Sequence, residues 1–331
     1  MDVLMRNVPD VALSAWQPPS YSVDANGKVV GAVPGKPNNW GRWGEDDQRG
    51  TANLLTAECA QAGAALVRRG AVFSLGLPIG HGAPNIGTRS EPLHLVRRAT
   101  ADQVVGDTDH LGIESSDDLV VLALQASTQL DGHGHFAHEH TFYNGYWSGL
   151  MTAGQGARRL GIHHQAGGIV GRGVLLDVAR HADLDPFNGA ITAAMLDEVA
   201  AAHGVEIRPG DIVLVRTGWL GTWLSEPDTR RRRRQAGLTL DTIDWLAAHD
   251  VAMIAADNKT VEAVPGPEDQ PILSWHIGAL RDLGLLVGEL FDLDALSDDC
   301  AADGVYEFLF STAPLPIVNA VGSPLNPLVV K

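Results

Sequence analysis

Residues 125–140 read Gln-Ala-Ser-Thr-Gln-Leu-Asp-Gly-His-Gly-His-Phe-Ala-His-Glu-His, with six carboxylate or imidazole groups between Asp131 and His140. The Leu- and Val-rich run from Asp118 to Leu124 leads into this stretch and reads as a buried strand. If extended backbone continues through the polar residues, side chains alternate between faces. Gln129, Asp131, His133 and His135 then share one side, with Gly132 and Gly134 on the other. Carboxylate oxygen and imidazole nitrogen suit Zn(II), Mn(II) or Fe(II), and a catalytic ion needs about three protein ligands and one open position. Spacing alone also allows a His-rich exposed loop beside glycines.

Outward from this stretch, Val72–Leu77, Ile169–Val178, Asp211–Thr217 and Val251–Ala256 are apolar or β-branched, bounded by glycine or charge, and predict strands. Helical spacing with start and stop signals predicts helices over Thr56–Arg69, Thr192–His203, Thr239–His249 and Ile277–Asp282. Strands alternate irregularly with helices and no linker interrupts them, which predicts one mixed α/β domain. Prolines, Asn38, Asn39 and scattered tryptophans mark residues 1–50 as a wrapping N-terminal arm, leaving 51–331 as the catalytic domain.

Composition narrows the function classes. The 24 Lys+Arg against 40 Asp+Glu leave a net charge of −16, a field that repels nucleic acid and anionic lipid. The basic cluster Arg230 to Arg234 reads as a solvated approach to a helix. Cys59 and Cys300 are far apart and match no disulfide framework or zinc finger. Met1–Gln17 contains no apolar signal core, and no apolar run reaches membrane-spanning length, so a cytoplasmic protein is expected. No phosphate-binding loop and no G-x-S-x-G nucleophile elbow is present, and Gly168–Gly173 leads into a strand rather than opening a helix.

Ser127-Thr128-Gln129-Leu130-Asp131-Gly132-His133-Gly134-His135 resembles the H-x-G-T-H-x-D-x-P-x-H signature of the cyclase family of metal-dependent hydrolases, the family of kynurenine formamidase and isatin hydrolase. The resemblance to its longer members extends through Asn39-Trp40-Gly41-Arg42-Trp43-Gly44 with Asp46, Gly171–Asp177, Gly210-Asp211, Asp257-Asn258 with Glu262, and Gly322–Pro327. It implies a swivelling β/β/α fold and a homodimer or homotetramer. It also implies a divalent ion, Mn(II) or Zn(II), held by Gln129, Asp131, His276 and Glu289, with His135 as the acid/base. Glu289 also lies in the apolar run Leu285–Phe291, where an unpaired carboxylate is costly. The signature's first two histidines fall on Gln125 and Gln129 and its proline on His133. An amide oxygen is a weaker, neutral ligand than imidazole, which favours one ion over two. His133 either replaces a ligand or fills the proline's space.

The resemblance implies hydrolysis of a C–N bond in a small amide, such as a lactam, imide or N-formyl amide. Separately, an aromatic residue of the N-terminal arm, Trp40 or Trp43, is expected to close over the substrate. Two other classes stay open: a lyase or cyclase working through an enolate, and a non-catalytic binding protein with a degenerate metal site.

Overall fold

The computed structural model describes residues 19–80, 89–105, 113–226, 234–268 and 270–331. The readings of Met1–Gln17 and of the basic cluster up to Arg233 lie outside the described residues.

The strands are β1 (Val72–Ser74), β2 (Leu93–Arg98), β3 (Asp117–Val121), β4 (Gln129–Asp131), β5 (Met151–Thr152), β6 (Gly156–Ala157), β7 (Ile169–Leu176), β8 (Ala190–Ile191), β9 (Ile212–Val215), β10 (Gly237–Leu238), β11 (Met253–Ala256), β12 (Leu286–Glu289), β13 (Glu307–Thr312), β14 (Gly322–Pro324) and β15 (Leu328–Val330). Nine of them form one curled sheet in the order β1-β15-β13-β7-β9-β11-β12-β4-β14. Its four central strands, β7, β9, β11 and β12, run parallel, and antiparallel strands flank them on both sides.

The central strands are buried on both faces and therefore read as continuous apolar runs. In β9, Val213 and Val215 point into a core shared with Val174, Ile254, Trp275 and Val287, while Ile212 and Leu214 point into a second core with Leu286, Phe308 and Phe310. The helices are α1 (Ala57–Ala64), α2 (Thr100–Val104), α3 (Val178–His181), α4 (Ala193–Ala202), α5 (Trp219–Ser225), α6 (Asp241–Ala248), α7 (Ser274–His276) and α8 (Asp294–Asp303). Leu196 and Val199 of α4 and Ile243 and Leu246 of α6 cover the first core, and Leu296 and Cys300 of α8 cover the second. Thr192 caps α4 by accepting from the Met195 N–H at 3.3 Å, as its sequence position predicts. The mixed α/β domain expected from the sequence is the observed one. No helix among the described residues is long and apolar enough to cross a membrane.

Two local expectations need correction. The run 118–124 is not a buried strand: β3 pairs with β2 in a separate hairpin whose side chains are mostly exposed. The segment that enters the core is β4, three residues long with Leu130 its one apolar side chain, and it ends at Asp131. The helix at Ile277–Asp282 is a π-type turn continuing from α7, a geometry often found at functional sites.

Candidate metal centre

β4 lies between β12 and β14, with Gln129 opposite Glu289, and with Val287 and Gly322 on either side of Asp131. Directly paired residues point to the same face, so this register places Gln129, Asp131 and Glu289 together on the side covered by α7. Gly322 leaves room there for the Gln125 amide, whose Nε2 would stand 2.4 Å from a Cβ at this position. Gln129 donates through Nε2 to Glu289 Oε2 at 2.5 Å and approaches Asp131 Oδ1 at 3.5 Å.

His276 comes from α7. Its Nε2 lies 3.3 Å from Glu289 Oε1 and 4.0 Å from Asp131 Oδ2. One ligand atom each from Asp131, His276 and Glu289 fall within 4.8 Å of one another, and all three residues are buried. Asp131 Oδ2 and Gln129 Oε1 are buried with no hydrogen-bond partner. Such atoms carry a desolvation cost of about 1–3 kcal/mol, more for a charged group. Two orphaned oxygens beside two carboxylates and an imidazole fit a divalent cation.

Glu262 fixes the imidazole. Its carboxylate accepts from the Trp275 N–H at 3.3 Å and the His276 N–H at 3.2 Å, and it pairs with His276 Nδ1. The other ring nitrogen is thereby left facing Asp131 and Glu289, the usual carboxylate–histidine–metal relay. Burial disfavours the His276 imidazolium, but the hydrogen bonds and charges of Glu262 and Glu289 outweigh it and push its pKa up to about 10. Glu289 is also raised, by burial first and then by the negative charge of Asp131. A cation bound among these groups would relieve both effects.

Backbone strain surrounds the same groups. Val261, Leu273 and Leu290 have φ of 59°, 61° and 56°. They immediately precede Glu262, cap α7, and immediately follow Glu289. Such conformations cost branched or bulky residues about 1–3 kcal/mol each and concentrate at functional sites.

The single extended face predicted for Gln129, Asp131, His133 and His135 breaks after Asp131, where the chain turns and the His135 N–H bonds to Gly132 O at 2.8 Å. Gly132 allows this turn to pack, since a Cβ there would lie 2.9 Å from Val321 O. His135 stays beside the cluster, partly exposed, with Nε2 3.9 Å from Asp131 Oδ1. His133 points elsewhere. Its Nδ1 lies 3.3 Å from the Gln48 carbonyl and its ring packs against Tyr143. Of the two readings for His133, the structure favours filling the proline's space. Trp40 does not reach the site either, because its indole donates to Arg281 O at 2.7 Å and its ring lies under the Arg281 guanidinium. The tie matters indirectly, since it anchors the N-terminal segment to the π-turn that follows His276. The role of Glu262 was missed in the sequence: the resemblance includes the residue, but its partner lies fourteen positions away across a loop.

Comparison with known proteins bears on the family and the fold. The Cyclase family model matches residues 73–263. A solved structure of a novel cyclase is 38% identical, covering 89% of this chain and 97% of that one, with a TM-score of 0.84. An isatin hydrolase bound to the product analogue thioisatinate is 18% identical over 83% of this chain and 98% of that one, with a TM-score of 0.56. Isatin hydrolase A from Ralstonia solanacearum is 18% identical over 83% and 96%, with a TM-score of 0.54. No curated protein matches the chain.

Proposed function

The chain belongs to the cyclase family, and from that premise we propose that it is a metal-dependent hydrolase cleaving a C–N bond in a small amide. The observation that carries the reading is the buried cluster of Asp131, His276 and Glu289 with Asp131 Oδ2 unpartnered. Those three side chains would hold the ion, with Gln129 Oε1 as a further donor. When bound, an ion such as Mn(II) or Zn(II) supplies Lewis acidity that polarises a carbonyl and makes water acidic near neutrality.

The chain's own residues supply the rest. His135, partly exposed and 3.9 Å from Asp131, is placed to take a proton from the attacking water and return it to the leaving nitrogen. Water then adds across the C–N bond, giving a carboxylate and an amine. Glu262 holds the His276 ring so that its Nε2 stays available.

The exposed apolar residues of the β2–β3 hairpin, Leu93, Val96, Val120 and Val121, support a homodimer or homotetramer.

The test is turnover of a panel of lactams, imides and N-formyl amides in oxygen-18 water, with metal analysis of wild type and His135→Ala. One labelled oxygen in the product carboxylate, and a loss of about 10²–10⁴-fold in the variant with the metal retained, are expected. Product formed without label overturns hydrolysis, and activity within a few-fold of wild type overturns the role of His135.

A further inference from the structure

Beyond the metal cluster, the loop between β11 and Glu262 carries a cation, Lys259, with no carboxylate partner among the described residues. Lys259 is half-buried and lies over the Trp219 ring, with Nζ 5.0 Å from its centre. Its backbone N–H bonds to Gln235 Oε1 at 3.2 Å, but among the described residues no carboxylate pairs with the ammonium. This is not for want of acids in a chain with 40 of them. The nearest in sequence are committed elsewhere. Asp257 accepts from the Thr217 N–H and hydroxyl, both at 2.7 Å, and from the Gly218 N–H at 2.8 Å, while Glu262 holds His276.

A second donor stands beside it. Trp219 is 1% exposed, yet among the described residues its indole N–H has no acceptor. Buried indole N–H groups ordinarily find one; among the described residues the ammonium has only the face of the Trp219 ring as partner and the indole N–H has none, which leaves both groups open to an anion.

The pair also borders the metal cluster. Asn258, next to Lys259, accepts through its carbonyl from the N–H of Leu290, the residue after Glu289. Trp219 packs with Leu290 and Leu77, whose backbones are joined through the Thr128 hydroxyl at 2.6 and 2.9 Å, one residue before Gln129. Burial without a counter-charge lowers the Lys259 pKa, which an arriving anion would reverse.

We propose that Lys259, together with the Trp219 indole, binds a carboxylate of the substrate, so that the preferred amides carry a negative charge near the scissile bond. This rests on the hydrolase reading for the word substrate, but the anion site itself can be tested without turnover.

Chelator-treated protein is titrated with acetate, benzoate and phthalate and with the matching neutral amides, following tryptophan fluorescence. Removing the metal ensures that a carboxylate is not simply captured by the ion. At least one carboxylate is expected to bind saturably and about tenfold to a hundredfold more tightly than its amide, the range for a charge-assisted hydrogen bond. Lys259→Met should abolish that preference and Lys259→Arg should retain it. If no carboxylate saturates the wild type, or if Lys259→Met binds as wild type does, the proposal falls. In the metal-loaded enzyme the Lys259→Met loss should appear in KM for carboxylate-bearing amides. A protein that binds the carboxylates yet hydrolyses no amide keeps the anion site and loses the hydrolase reading. One that hydrolyses neutral and anionic amides alike does the reverse.

Discussion

Two buried acidic clusters stand along the same edge of the parallel strands, and they are satisfied in opposite ways. Asp177, just past β7, is fully buried and receives Arg216 at 3.0 Å, Arg180 at 3.2 Å and the Ser297 hydroxyl. Burial works against its ionisation, but Ser297 and Arg216 outweigh it and hold the carboxyl below its usual pKa. Asp131 and Glu289, at the ends of β4 and β12, are equally buried, and the positive charge that reaches Glu289 comes first from His276 and less from Arg89. They face each other and His276, and Glu289 is raised rather than lowered. The first cluster is complete as folded and is structural. The second keeps two buried oxygens, Asp131 Oδ2 and Gln129 Oε1, without a hydrogen-bond partner, and it lies where strain and a π-turn also gather.

This contrast can be broken experimentally. The largest effect is expected from Asp131→Ala, which should empty the metal site and abolish turnover while circular dichroism stays native; retained stoichiometric metal would make the second cluster merely structural. Next comes Asp177→Asn, which leaves Arg216 short of a buried partner and should cost about 3–5 kcal/mol in denaturant unfolding with metal content unchanged. Wild type should also lose the contribution of Asp177 as pH falls through its lowered native pKa, since that stabilisation is present only above the unfolded value near 3.8.

Glu262→Gln should be milder, weakening metal affinity about 10–100-fold, because the histidine ligand stays but loses the carboxylate that orients it. Equal affinity in the variant would remove Glu262 from the site. The smallest signal is proton release. His276 pushed up to about 10 carries a proton at neutral pH that must leave before its Nε2 can bind metal, so affinity should rise with pH between neutrality and that value. Calorimetry in buffers of different ionisation enthalpy measures this, and binding without proton release would show that His276 is not a ligand.

Much of the second cluster was legible in order along the chain. The polar stretch at 129–135 stood out by chemistry alone, and Glu289 by the cost of a carboxylate in an apolar run. The strand register then brought Gln129 and Glu289 face to face, which no spacing of 160 residues reveals. Sequence reasoning overextended the period-two pattern through His133 because it had no sign that β4 ends at Asp131. The turn there depends on Val321 and Gln48, both distant in the chain. Lys259 and Trp219 were not singled out at all. A lone lysine and a lone tryptophan carry no motif, and only packing shows that both lack acceptors.

The sequence by itself determined the α/β class, through apolar runs of strand length alternating with amphipathic helices, and it determined which residue types are available for metal chemistry. Only the tertiary structure decided which of them meet. It turned His133 away toward the N-terminal segment, kept His135 at the rim and enlisted Glu262 to hold His276. The physical reason is that periodicity acts over a few residues, whereas a coordination site needs ligand atoms within 4.8 Å drawn from two strands and a helix, and that closeness is set by long-range register and packing.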